Sequence, residues 1–348
     1  MLLVRPFAID ETSLDSSDVV ETAPAAYNAG TAYALGDTVS VATGTALAVY
    51  ESLQNANTGH APASSPLWWV LTGNTYEVWN SGTAYGLGDI VISATTHRQY
   101  ESAQAANTNH PVTDAAWWTD MGATNRWKMF DGSVTSQTEN PEGIEVSIQT
   151  TERVDTVAIL NVNAASATVT MTDPVEGVVF EETYSLVSPS GIIDWYAYFF
   201  EPIERLNDLY VGGLPPYAAA TVDVSIDGDG SPAKCGALIL GLSKDIGAAQ
   251  YGAGVGINDY SRKVLDDFGN YSVVERAFSK RANFTVWVPI GLTDQVQILL
   301  SRYRAIPIVY VGAAEFGSTL IYGFYKDFNV EITYPTYSIC TLSIEGLT

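Results

Sequence analysis

A stretch of about 50 residues occurs twice in succession near the start of the chain, and this duplication limits each copy to a module with very little interior. Gly30-Thr-Ala-Tyr33-Ala-Leu-Gly36-Asp37-Thr-Val39 returns 52 residues later as Gly82-Thr-Ala-Tyr85-Gly-Leu-Gly88-Asp89-Ile-Val91. Tyr50-Glu51-Ser52-Leu-Gln54-Asn-Ala-Asn57-Thr-Gly-His60 returns after 50 as Tyr100-Glu101-Ser102-Ala-Gln104-Ala-Ala-Asn107-Thr-Asn-His110, and Trp68-Trp69 returns after 49 as Trp117-Trp118. The shrinking offset places the deletions between motifs, as expected when the motifs are structural and the gaps are turns. Turn signals such as Leu-Gly-Asp and Asn-Thr separate short β-branched and aromatic runs, Thr38–Val41 and Ile90–Ile92 among them. Each copy therefore reads as a three-stranded antiparallel sheet.

A module of this size must draw most of its core from aromatic side chains, so Tyr33, Tyr50 and one Trp of each pair are expected inside. Adjacent residues of an extended segment point to opposite faces. The other Trp of each pair is then expected outside, on a surface that packing alone does not require. A flat indole is a stacking platform for the C–H face of a sugar ring.

From Asn125 onward the texture changes to alternating runs: Ile144–Ile148, Val154–Val162, Ala167–Thr172, Val178–Tyr184 and Ala219–Ile226. Period-2 patterning with polar turns predicts an antiparallel sandwich. In the last hundred residues Thr293 is expected to cap a helix whose Val296, Leu299, Leu300 and Tyr303 form one apolar face. Strands are expected after it at Ile306–Val311, Leu320–Tyr325, Phe328–Thr333 and Ser338–Glu345. The expected fold class is thus mainly β: two small three-stranded modules inserted near the N-terminus of a β-sandwich region, then a C-terminal β domain carrying one amphipathic helix. The expected divisions are an N-terminal strand or arm at 1–22, repeats at 23–73 and 74–122, a sandwich at 123–235, and a C-terminal domain at 236–348 with its helix near 294–304. Leu2–Ile9 is expected to add a strand to the β region beyond the repeats.

Sixteen Lys and Arg stand against thirty-nine Asp and Glu, a net charge of −23. That balance argues against a nucleic-acid partner, because phosphate binding needs clustered cations. The longest apolar runs, Gly236–Leu242 and Ile306–Val311, are far shorter than the roughly 20 residues of a bilayer-spanning helix, so no membrane insertion is expected. The first residues lack the basic and apolar segments of a secretory signal. Cys235 and Cys340 read as buried reduced thiols.

With three histidines, His60, His97 and His110, there is no material for a His/Cys metal cluster, and no cofactor motif is present. Tyr251-Gly252-Ala-Gly254-Val-Gly256-Ile-Asn258-Asp259 reads as a flexible or tightly turning loop rather than a nucleotide site. Asp227-Gly-Asp229-Gly230 reads as a plain turn, since the rest of a calcium loop does not continue in register. Nothing marks an enzyme.

The repeat resembles the small chitin-type carbohydrate-binding module of chitinases and cellulases, through Trp79, Tyr85, Gly88-Asp89, Val91, Tyr100-Glu101, Asn107, Pro111 and Trp117-Trp118, with Tyr27 in the first copy at the Trp79 position. The resemblance covers about 95 residues. It implies polysaccharide contact through Trp68, Trp69, Trp117 and Trp118, with Tyr27 and Trp79 as the opening aromatics of the site.

The remainder resembles a minor tail or baseplate protein of a tailed bacteriophage. This rests on Gln250-Tyr-Gly252, Gly256-Ile-Asn-Asp259-Tyr-Ser-Arg-Lys, Phe268-Gly269-Asn270, Val274-Glu-Arg276-Ala-Phe278-Ser-Lys-Arg281 and the closing Ser343-Ile-Glu345-Gly-Leu. It implies a virion protein assembled in the host cytoplasm, a ring or adaptor subunit whose partners are other tail subunits, further copies of itself in a trimer or hexamer ring, and host-surface polysaccharide. A secreted polysaccharide-degrading enzyme with two accessory binding modules is the alternative. A third reading keeps the virion location and makes the modules purely structural.

Overall fold

The computed structural model describes residues 1–188, 194–200, 204–265, 269–313 and 316–347, without the side chains of Ala197 and Tyr198. Phe268, part of the tail-protein resemblance, lies outside the described residues. The chain is mainly β, with small three-stranded sheets and an α-helix near its C-terminus.

The period-2 runs form strands close to where the alternation places them: Gly143–Gln149, Thr156–Leu160, Ser166–Asp173, Gly177–Ser185 and Thr221–Asp227. Two sheets result. One is five-stranded, in the order 177–185, 166–173, 221–227, 143–149, 14–17. Its inner face, including Ile144, Val146, Val169 and Ile226, packs on Val157, Ile159, Leu238 and Leu240 of the second sheet. Burying such side chains contributes about 1.5–3 kcal/mol each, and this face holds the largest buried cluster.

The second sheet does not stop at residue 235. Ala237–Asp245 pairs with Thr156–Leu160 on one side and with Leu2–Pro6 on the other. Leu2–Pro6 in turn pairs with Ile308–Val311, so one sheet runs through both of the expected C-terminal parts. Gly241 is placed where this approach is tightest: a Cβ there would lie 2.4 Å from the Arg5 carbonyl oxygen. On one side of the sheet Leu3, Ile308 and Tyr310 join a core shared with Phe284 and Val286; on the other, Val4, Ala158, Ile239 and Val309 form a separate buried layer. An ion pair between Lys280 and Asp208 links two otherwise separated strands of the sheet.

The helix Thr293–Arg302 lies on the Leu3 side and buries Val296 and Leu300, with Leu299 and Tyr303 partly buried. Thr293 does not cap it: the N-cap position is Leu292, and the Thr293 hydroxyl instead pairs with Ser338 Oγ at 2.9 Å. The two expected strands at 320–333 are a single strand, Leu320–Glu331, with a register shift between Tyr325 and Asp327. The glycine-rich run is a second departure. Gly254–Asp259 is a strand paired with Phe278–Pro289, because glycine at 254 and 256 leaves the ladder intact while Val255 and Ile257 supply strand propensity. Asp227–Gly230 does form a turn, with Asp229 and Gly230 at positive φ.

Candidate functional site

Repeat 1 is the sheet Thr38–Thr43, Ala46–Ser52, Trp69–Thr75, and repeat 2 contains Ile90–Ser93, Arg98–Ser102 and Trp118–Ala123. The third strand of each begins at the second Trp of the pair. Just before it the chain turns tightly: the Ser65 carbonyl accepts the N–H groups of both Trp68 and Trp69, and the Asp114 carbonyl those of Trp117 and Trp118. The strand alternation then sends the two indoles to different surroundings.

Trp69 and Trp118 go inward, at 2% and 3% exposure. Trp69 meets Tyr27 and Tyr33 edge-on, Trp118 meets Tyr85 edge-on, and their indole N–H groups donate to the carbonyls of His60 and His110 at 2.8 and 2.9 Å. These two side chains are the module cores and have no face left for a ligand, which corrects their inclusion among the sugar-contacting residues. Trp79 packs on the cluster of Tyr85, Val91, Tyr100 and Trp118. Tyr27 stacks on Tyr33 with ring centroids 5.9 Å apart. Both opening aromatics are half-buried against the core, as are Tyr33 and Tyr50, because so small a unit cannot enclose all its rings.

Trp68 and Trp117 are the half-buried members. Each lies flat against a histidine of its own copy: His60 on Trp68 at 3.9 Å and 11°, His110 on Trp117 at 3.8 Å and 10°. The loop beneath is held in the same way in both copies. Asn57 Nδ2 donates to Ser52 Oγ (2.9 Å) and the Trp68 carbonyl (3.3 Å), and Asn107 Nδ2 to Ser102 Oγ (3.0 Å) and the Trp117 carbonyl (3.3 Å). Gln54 and Gln104 donate to the carbonyls of Leu67 and Ala116. The product is a pre-set aromatic platform, repeated, whose edge carries the exposed Leu67 in copy 1 and Asp114, 3.8 Å from His110 Nδ1, in copy 2. Chemically it offers flat apolar surface with hydrogen-bonding groups at its rim and no nucleophile or paired acid. Among the described residues, no group of three or more His, Cys, Asp or Glu could hold a metal ion.

The modules are tied to the sandwich by one buried carboxylate. Glu21, just before repeat 1, accepts from Thr124 Oγ1 (2.8 Å) and Trp127 Nε1 (3.2 Å), both just after repeat 2, and from His97 Nδ1 (2.9 Å), in a hairpin turn of repeat 2. His97 also stacks on Trp127. The Glu21 carbonyl accepts the hydroxyl of Thr75, at the junction between repeats. Chain entry, crossover and exit thus meet at one residue. His97 holds a left-handed φ of 54°, and its carbonyl is fixed by the Thr124 N–H.

No sequence motif assigns a role to His60 and His110, although their shared offset of 50 beside the Trp pairs is a legible signal. The helix Trp195–Phe200, where Trp195, Tyr196, Phe199 and Phe200 are all exposed, carries no periodic signal in the sequence that marks it in advance. No known protein family, curated protein or solved structure matches the chain.

Proposed function

We propose that the chain is a virion structural protein of a phage tail tip or baseplate, a ring or adaptor subunit in which two carbohydrate-binding modules inserted near the N-terminus of a β-sandwich touch host-surface polysaccharide. The observation that carries the recognition half of this reading is the duplicated platform: Trp68 on His60 and Trp117 on His110, in matching geometry and held by matching Asn and Gln contacts. Trp69 and Trp118 are the buried members of the pairs, and the half-buried Trp68 and Trp117 keep part of their surface for another contact even though Trp117 also rests on the repeat-2 core. With a net charge of −23 and Asp114 at one rim, a neutral polysaccharide is favoured over an anionic one.

Affinity at one platform is weak, and avidity makes it useful. Two platforms per chain, multiplied over a ring, raise effective affinity by about 10²–10⁴ without any new contact. The location half of the reading is supported by the tail-protein resemblance of residues 250–281 and 343–347. Binding of the full chain to a glycan array and to insoluble neutral polysaccharides tests the proposal. Trp68→Ala and Trp117→Ala are each expected to weaken binding, and together to abolish it, while each variant stays folded with a stability loss of about 1 kcal/mol or less. No binding by the wild-type chain, or equal binding by the double variant, removes the recognition role.

A further inference from the structure

The paired strands Gly254–Asp259 and Phe278–Pro289 continue as Arg262–Leu265 paired with Tyr271–Val274, forming a two-stranded arm. Among the described residues, the arm's apolar side chains are left largely uncovered. Val255, Ile257, Leu265, Tyr271, Val273 and Phe278 are each between 47% and 65% exposed. They amount to on the order of 600 Å² of apolar surface, most of one partner's share, about 800 Å², of a standard interface. Neither face of the tip is spared, since Leu265, Tyr271 and Val273 lie on one face and the exposed Val264 and Val274 on the other. An isolated two-stranded ribbon is marginal in water, yet this one is anchored at its root: Glu345 accepts from Asn258 Nδ2 (2.8 Å), Tyr260 OH (3.3 Å) and Lys326 Nζ (2.7 Å).

Charge selects the occupant. Residues 254–281 hold five Lys and Arg against four Asp and Glu, while the rest of the chain holds eleven against thirty-five. The opposite extreme is 154–204, with eight acids and no Lys or Arg. That stretch contains Gly177–Ser185, an edge strand pairing only with Ser166–Asp173 among the described residues, and it carries Glu181 and Glu182 beside the exposed Val175 and Val178. An unpaired edge of this kind is a template for another chain.

We propose that the arm of one copy docks along the acidic edge strand 177–185 of a second copy. This deepens the ring reading above and rests on it. Arg262, Lys263 and Arg276 would meet Glu181 and Glu182 while the apolar tip covers Val175 and Val178. Arm and edge are different surfaces, so the contact is heterologous, the kind that propagates around a closed ring or along a filament.

The test is the mass of the full chain in solution over a concentration series, by light scattering after size separation, for wild type, Tyr271→Ser with Val273→Ser, Arg262→Glu with Lys263→Glu, and Glu181→Lys with Glu182→Lys. All substituted residues are exposed, and denaturant unfolding confirms that each variant folds. The wild type is expected to assemble and each variant to need at least about tenfold more protein to do so. Mixing the charge-reversed arm with the charge-reversed edge is expected to restore co-assembly. A wild type that stays monomeric throughout overturns this proposal and the homo-oligomeric ring together, and means that the arm serves a different protein. Assembly unaffected by the arm variants overturns the arm alone and leaves the ring standing. Arm variants that break assembly without any effect or rescue from the edge variant overturn the pairing with 177–185.

Discussion

Removing the Glu21 carboxylate tests whether one residue holds the modules to the sandwich. The side chain is 6% exposed and takes three donors, from His97, Thr124 and Trp127. Glu21→Ala leaves those donors without an acceptor, and a buried donor so stranded costs about 1–3 kcal/mol. Hydroxyl rotation and some water entry relieve part of that, so the expected loss is about 3–5 kcal/mol, as for breaking a buried pair from one side. Glu21→Gln separates charge from shape. Its Oε1 keeps Thr124 and His97, but its N–H groups face the indole N–H of Trp127, for a loss of about 1–2 kcal/mol. Urea unfolding followed by tryptophan fluorescence measures both, and limited proteolysis shows whether residues 19–24 and 123–127 become cleavable as the clasp opens. A loss below about 1 kcal/mol for Glu21→Ala, with cleavage unchanged, refutes the clasp.

Three further outcomes are expected. Trp118→Ala removes a module core and costs about 3–5 kcal/mol, whereas Trp117→Ala, next to it in sequence, costs about 1 kcal/mol or less; comparable losses in denaturant titrations contradict the assignment of core and platform. Desolvation raises the Asp18 carboxyl to about 6, against the opposing hydrogen bond from the Glu145 N–H. The folded state then holds this proton more tightly than the unfolded chain, so the contribution is complete below pH 4 and lost as pH rises through 6. Solvent at the edge of the group limits it to about 1 kcal/mol, and Asp18→Asn is expected to flatten that limb of the stability profile; a profile of opposite slope from this residue contradicts the reading. Burial pushes the Cys235 and Cys340 thiols up to about 12 and about 11, so a thiol reagent at pH 8 is expected to label neither in the native protein and both in denaturant.

What could be read from the residues came from period and repetition. Alternation located the sandwich strands within one or two positions, and the duplication marked both modules because identical motifs must occupy identical environments. The burial of one indole per pair was also legible from strand geometry, but which one was not. That depended on the turn at Ser65 and Asp114, where one carbonyl receives two successive N–H groups, a feature of backbone rather than residue type. Thr293 misled because a buried hydroxyl partner, Ser338, lies 45 residues away and outcompetes local capping. The arm was hidden by its glycines, which suggest a loop until Phe278–Pro289 is known to pair beside them. Glu21 was invisible for the same reason: its partners are 76 to 106 residues distant.

The strand Leu2–Pro6 lies between partners that the ribosome makes far later, at 241–245 and at 309–311. At about 5–20 residues per second, its second partner emerges roughly 15–60 s after it. Through that interval a short apolar segment waits in the nascent chain for its neighbours, and the long sheet cannot close until residues 309–311 have been made. Such non-local pairing makes folding slow, and places the greatest exposure to chaperones and to mispairing in the interval before those partners arrive.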